Sequence, residues 1–303
     1  MAEKINPKVA VVIPTYNRWP HVCDAIESVL QQTCPNVEAI VVDDASTDGT
    51  AEKLSAKYGN RIHLIALAQN GEKSAARNAG IRATDATYIC MLDSDDVLTE
   101  NAVGDRMQLL LGDPAFKGVA YGLIQTNGKI KRTLNFHPEG DVLETFVKHS
   151  GFLNNNSWLV SKDALLRCGL YNEALTNMED RELLLRLTAS LDFRCCKTVV
   201  QNVRRVDEVS ARTNYNRLIQ QGKKYIETVR SNEGLVDRLG PLLVELEFSE
   251  DKTISDAFYK AKRYREYCQY SGQMFLKYGK KMWNLRFFRR HILAAARTKE
   301  RGK

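Results

Sequence analysis

Three acidic clusters carry side chains whose types and spacing suit chemistry: Asp43-Asp44, Asp93-Ser94-Asp95-Asp96 and Glu179-Asp180. Carboxylates held close together repel and raise one another's pKa. A hard divalent cation relieves that repulsion, and Mg²⁺ or Mn²⁺ favours one or two carboxylates completed by phosphate oxygens. Asp93 and Asp95 suit such a site, while Asp95 or Asp96 can equally cap a following helix. Asp43-Asp44 can bond a base or ribose, or close the turn containing Ser46 and Asp48. Glu179-Asp180 precedes an amphipathic pattern of Leu183, Leu184, Leu187 and Leu191. Acids there answer the helix dipole, or Asp180 serves as a general base. Ala76-Arg77-Asn78, taken alone, reads as a solvated helix face.

The elements that must position these residues alternate. Val9 to Ile13 is a short apolar run, the pattern of a buried parallel strand, Val37 to Val42 repeats it, and Ile62 to Leu67 and Thr87 to Leu92 are a third and a fourth strand. Helical patterns lie between them, over about Trp19 to Gln32, Asp48 to Tyr58 and Lys73 to Ala83. The series predicts βαβ units and a parallel sheet, with ligands bound beyond the carboxyl ends of the strands. Thr15-Tyr16-Asn17, Asp43-Asp44 and Asp93 to Asp96 fall at those ends. No Gly-x-Gly-x-x-Gly follows the first strand and no Gly-x-x-x-x-Gly-Lys-Ser/Thr occurs, which disfavours a dinucleotide dehydrogenase and a P-loop kinase.

The 303 residues are 44% hydrophobic and 27% charged, which suits a soluble globular chain with a sizeable core and excludes wholesale disorder. No apolar run is long enough to span a membrane and the N-terminus lacks a signal-peptide pattern, so a cytoplasmic protein is expected. Seven scattered cysteines and five histidines show no zinc or redox spacing. Charge divides unevenly. Residues 1–212 hold 24 basic and 27 acidic side chains, and residues 213–303 hold 20 and 10. This shift marks two regions, 1–212 and a helical, basic 213–303, the second suited to an anionic partner.

Taken in order, Pro14-Thr15-Tyr16-Asn17, Val41 to Thr50, Asn70-Gly71 with Ala76 to Ile81, Asp93-Ser94-Asp95-Asp96 and Glu179-Asp180 form a series that resembles glycosyltransferase family 2 over roughly residues 7–212. Gly169-Leu170-Tyr171-Asn172-Glu173 is similar to the turn that precedes the Glu-Asp pair in that family. The resemblance implies an α/β GT-A fold: a Rossmann-like, mostly parallel central sheet flanked by helices, here with a helical, basic C-terminal extension. It implies an inverting, metal-dependent transfer from a nucleotide-sugar donor, a UDP-sugar by preference, to a glycan or lipid-linked saccharide hydroxyl in cell-surface polysaccharide synthesis.

By the same resemblance Pro14, Thr15, Tyr16 and Asn17 line the base pocket and Asp44 bonds the base. Arg77 sits beside the base or diphosphate, Asp93 and Ser94 lie by the ribose, and Asp95, with Asp93, holds Mn²⁺ or Mg²⁺. Asp180 is the base and Glu179 orients the acceptor. The family's histidine after the last strand is missing from Val203 to Ser210, where Arg204 or Arg205 can bind phosphate or form a basic surface patch.

Strands over Phe116 to Gln125 and Lys129 to Leu134, joined by Thr126-Asn127-Gly128, should build the acceptor side. Asn154 to Ser157 with Trp158 offers hydrogen bonds and a ring face to a sugar, or forms a loop over a buried Trp158. In the tail, Met274, Tyr278, Met282, Leu285, Phe288 and Ile292 share one helical stripe, and residues 277–303 hold ten Lys/Arg against one acid. Such a helix lies on the inner face of an anionic plasma membrane, packs on a core, or joins copies in a homo-oligomer. Nucleic acid is not an expected partner, because no recognition motif accompanies the charge. Two other functions remain open: a non-catalytic nucleotide-sugar sensor or scaffold, and a sugar nucleotidyltransferase, whose glycine-rich loop is missing here.

Overall fold

The computed structural model describes residues 7–126, 129–130, 137–149, 152–203, 214–282 and 290–294. The chain forms two compact units, Met1–Val206 and Asp207–Lys303.

The first unit begins with β1 (Val9–Thr15), α1 (Val22–Leu30), β2 (Val37–Asp43), α2 (Thr50–Tyr58), β3 (His63–Ala66), α3 (Glu72–Ala83) and β4 (Tyr88–Met91). Every residue of β1 is buried, because a central parallel strand is covered on both faces. It pairs in parallel with β2 from Val9↔Val37 to Thr15↔Asp43, and with β4 from Val9↔Tyr88 to Val12↔Met91. This register gathers the polar residues after β1, β2 and β4 at one edge of the sheet. Asp48 accepts from the backbone N–H of Thr50 at 3.0 Å and so starts α2. Gly80 seats α3 on the sheet: a Cβ there would lie 2.5 Å from Val12 Cγ1 and 3.1 Å from Val42 Cγ2.

Beyond β4 come β5 (Val97–Leu98), α4 (Ala102–Leu111), β6 (Val119–Thr126), β7 (Lys129–Ile130), α5 (Leu143–His149), β8 (Trp158–Ser161), α6 (Lys162–Cys168), α7 (Glu179–Ser190) and β9 (Phe193–Val203). The main path of the sheet runs β3-β2-β1-β4-β8-β6-β9-β5, with β7 paired to β6. It is parallel from β3 to β4 and mixed thereafter, since β8 runs antiparallel to both β4 and β6. A strand, not a helix, follows Asp96, so neither Asp95 nor Asp96 is a helix cap. Trp158 is fully buried in β8, which favours the buried-loop reading over a sugar-facing ring. The expected turn residues 127–128 and strand residues 131–134 lie outside the described residues.

The second unit contains α8 (Tyr215–Ser231), α9 (Glu233–Leu239), α10 (Leu242–Lys260) and α11 (Tyr264–Tyr278). Ile219, Ile254, Phe258, Tyr267 and Ala294 form one of its cores. Buried acids of α10 take its basic residues: Glu247 pairs with Arg230 at 2.5 Å and Lys277 at 3.0 Å, and Asp251 with Lys277 at 3.1 Å. The stripe expected along the tail is interrupted. Gly279, at φ +52°, ends α11, while Met274, Tyr278 and Met282 pack with Phe248. Ile292 is exposed, and Leu285 and Phe288 lie outside the described residues. Among the described residues no helix is long and apolar enough to cross a membrane.

Candidate active site

An open pocket of about 190 Å³ lies at the sheet edge in the first unit. Pro14, Thr15 and Tyr16 from the end of β1, Asp44 from the end of β2, and Asp93, Ser94 and Asp95 after β4 line it. The Oγ1 of Thr15 is buried with no hydrogen-bond partner among the described residues. Tyr16 is half exposed beside it, at 45%.

The two acids after β2 divide their work. Asp43 closes a turn, accepting from Ser46 N–H at 3.0 Å and Ser46 O–H at 2.5 Å. Asp44 faces the pocket and accepts from the backbone N–H of Gly71 at 2.8 Å. Burial pushes its carboxyl up, against the pull of the Gly71 and Glu72 N–H groups. Asp43 thus takes the turn role, and Asp44 is the member of the pair that lines the pocket.

Asp93 and Asp95 occupy unlike environments. Burial alone would raise Asp93, yet Arg77 and Lys73 outweigh it and hold the carboxyl below its ordinary value. Asp95 is pushed up, first by burial and then by the charge of Asp93, with Arg18 and Lys73 opposing. A carboxylate crowded in this way gains from a cation. Among the described residues no three His, Cys, Asp or Glu side chains are grouped to hold a metal. To hold a Mg²⁺ or Mn²⁺ ion, Asp93 and Asp95 would need phosphate oxygens and water as the remaining ligands. Asp96 is excluded from such a role, since its Oδ2 accepts from Asn156 at 3.1 Å and from Gln201.

Arg77 is the residue expected beside the base or diphosphate. It is 2% exposed and does not line the pocket. Its Nη2 donates to Asp93 at 2.9 Å and its Nη1 to Glu179 at 2.8 Å. Burial disfavours its charge, but Asp93, Tyr171 and Glu179 raise its pKa beyond the ordinary arginine value. Through Arg77 the first turn of α7 is tied to Asp93 of the pocket wall, while neither Glu179 nor Asp180 lines the pocket itself. Asp180 follows Glu179 there, half-buried, and its pKa is pushed up by burial and by Glu179, with Arg77 opposing.

Asn17 also falls outside the pocket lining. Its backbone N–H donates to Ser46 at 2.8 Å and its Oδ1 accepts from Thr47 N–H at 2.8 Å, so it ties two loops together. Arg204 and Arg205 lie outside the described residues. Two cations in the pocket, Arg18 and Lys73, were not singled out from sequence. Their signal was positional: one directly follows Thr15-Tyr16-Asn17 and the other sits in the first turn of α3. Asn78 was missed as a bracket: it donates to the Tyr171 carbonyl at 2.9 Å and accepts from the Tyr171 N–H at 2.9 Å.

Comparison with known proteins gives the fold and the family. A Bacillus subtilis protein named as a teichuronic acid biosynthesis glycosyltransferase is 34% identical over 126 residues, which are 41% of this chain. The chain spans half of that relative, 50% of its length. A Pyrobaculum calidifontis mannosyltransferase, solved with GDP-Man and Mn²⁺, superposes with a TM-score of 0.61 at 18% identity, covering 97% of this chain and 87% of that one. Residues 1–349 of Staphylococcus aureus TarS, solved with UDP-GlcNAc, give a TM-score of 0.55 at 16% identity over 95% of this chain and 79% of that one. These two likenesses establish the fold as that of GT-A glycosyltransferases. The model of glycosyl transferase family 2 matches residues 10–171, more than half of the chain, and the chain belongs to that family.

Proposed function

We propose that this chain is an inverting, metal-dependent glycosyltransferase. It moves a sugar from a nucleotide donor, UDP-linked by preference, to a hydroxyl of a glycan or lipid-linked saccharide in polysaccharide synthesis. The observation that carries the reading is the meeting of a carboxylate-lined pocket with the Glu179-Asp180 turn through one buried ion-pair network. The solved neighbours described with UDP-GlcNAc and with GDP-Man and Mn²⁺ support it as relatives in fold.

In this account Thr15, Tyr16 and Asp44 hold the base, with Pro14 as the apolar wall. Asp93 and Ser94 face the ribose. Asp95, with the donor's phosphates, holds the cation, which when bound stabilises charge on the leaving nucleoside diphosphate. Arg18 and Lys73 add fixed positive charge to the same pocket. Asp180 accepts the proton of the incoming hydroxyl, whose oxygen bonds to the anomeric carbon as the carbon–phosphate-oxygen bond breaks on the opposite face. A raised pKa makes its carboxylate a stronger base than an exposed aspartate. One displacement inverts the anomeric centre, and Glu179 orients the acceptor.

The basic second unit carries exposed Leu276 and Ile292, features suited to peripheral contact with an anionic inner membrane face where lipid-linked acceptors reside. The test of the reaction is nucleotide release from UDP-, GDP- and dTDP-sugars with Mn²⁺ or with EDTA, in the presence of a mixed glycan acceptor pool. Metal-dependent release from one donor is the expected result. Metal-dependent donor binding without release under every condition would favour the sensor reading.

A further inference from the structure

Arg77 joins segments that are remote in sequence. Asp93, on one side, follows β4 and lines the pocket. Glu179, on the other, opens α7 and stands 102 residues further along the chain than Arg77. The ring of Tyr171 lies 5.1 Å from the guanidinium carbon, and Asn78, next to Arg77, brackets the Tyr171 backbone. Gly80 lets this part of α3 press against Val12 and Val42, so the helix that carries Arg77 is held close to the sheet.

A planar guanidinium fixes its acceptors in direction as well as distance, which an ammonium cannot do for two carboxylates on separate elements. The two acceptors belong to the two halves of the reaction. Asp93 is part of the donor pocket, and Glu179 is the neighbour of the base, Asp180.

We propose that Arg77 is a positioning residue that fixes the distance between the donor pocket and the base-bearing first turn of α7 while touching neither donor nor acceptor. Its kinetic consequence rests on the transferase reading above; the bridge itself does not. Arg77→Lys keeps the charge and loses the fork. Hydrogen exchange over residues 178–182 reads the bridge without reference to activity. The expected result is exchange faster by about tenfold, the lower end of what one charge-assisted hydrogen bond contributes, with α2 unchanged. Nucleotide release and calorimetry with UDP and Mn²⁺ read the consequence. Here kcat falls about 100-fold, as for a misplacement near 1 Å, and by much more than UDP affinity, which weakens only through Asp93.

Unaltered exchange at 178–182, or unaltered kcat in an active wild-type background, overturns the proposal. Equal losses of affinity and kcat overturn it too, since Arg77 would then be a donor-binding residue. A wild-type chain that releases no nucleotide from any donor counts against the transferase reading alone, and the exchange result still decides the bridge. If Arg77→Lys does not fold, Glu179→Gln weakens the Arg77–Glu179 bond with little change of shape and is read by hydrogen exchange over residues 178–182, faster if the bridge holds that turn and unaltered if it does not.

Discussion

Gly80→Ala perturbs the site from a distance, and its size follows from the packing. The added methyl would lie 2.5 Å from Val12 Cγ1 and 3.1 Å from Val42 Cγ2. Both valines are fully buried, Val12 in the middle of β1 and Val42 near the end of β2, so neither can turn away without disturbing the sheet. Alanine favours a helix over glycine by about 1 kcal/mol, while overpacking a close-packed core costs about 1–3 kcal/mol. The clash is with branched side chains on a rigid sheet, so the upper part of that range applies and the net loss is about 1–2 kcal/mol. For a unit of this size that lowers the Tm by about 2–8 °C. Arg77 lies one helical turn before Gly80, so lifting α3 also lifts the guanidinium from Asp93 and Glu179. Thermal unfolding and nucleotide release on the same preparation test the reasoning. A wild-type Tm with wild-type turnover would refute the claim that close approach of α3 to the sheet positions Arg77.

Other perturbations separate the roles of the pocket residues. Thr15→Val preserves shape and removes a buried hydroxyl that has no partner among the described residues. It should leave the Tm at or above wild type and weaken UDP binding by about fivefold, the worth of one hydrogen bond near 1 kcal/mol. Unchanged UDP affinity by calorimetry would remove Thr15 from the base pocket. Asp95→Ala should abolish the Mn²⁺ dependence of UDP binding as well as turnover, and a variant that still answers to EDTA would place the cation elsewhere. The pH profile follows from the raised pKa of Asp180, caused by burial and then by Glu179. Its carboxylate is the active form, so turnover is lost as pH falls through that raised value, above the ordinary aspartate range. Glu179→Gln removes one raising charge and should move the acid limb of the profile to lower pH; a shift to higher pH would contradict the assignment.

The first four strands were legible because β1, β2 and β4 are buried on both faces and read as continuous apolar runs, with polar clusters marking their carboxyl ends. Those ends supplied most of the pocket directly: Pro14, Thr15, Tyr16, Asp44, Asp93, Ser94 and Asp95. Arg77 was misread because burial of a helix face depends on what packs over it. The covering turn, Gly169 to Glu173, and α7 come some 90 or more residues later. Gly80, three positions beyond on the same face, was the local sign of close approach. The order of β8, β6 and β9 was not legible, since alternation gives strand character without pairing partner or direction. In the tail the apolar stripe was real as far as Met282, but its period runs through Gly279, which ends α11.

The central claim is that Asp180 takes the proton from the acceptor while other residues line the donor pocket. Donor binding and transfer by Asp180→Asn, measured side by side, test it most directly. The account predicts Mn²⁺-dependent UDP affinity equal to wild type, with transfer reduced by about 10²–10⁴-fold, the range for loss of a general base. Transfer at the wild-type rate, or a loss of donor affinity that matches the loss of transfer, would contradict it.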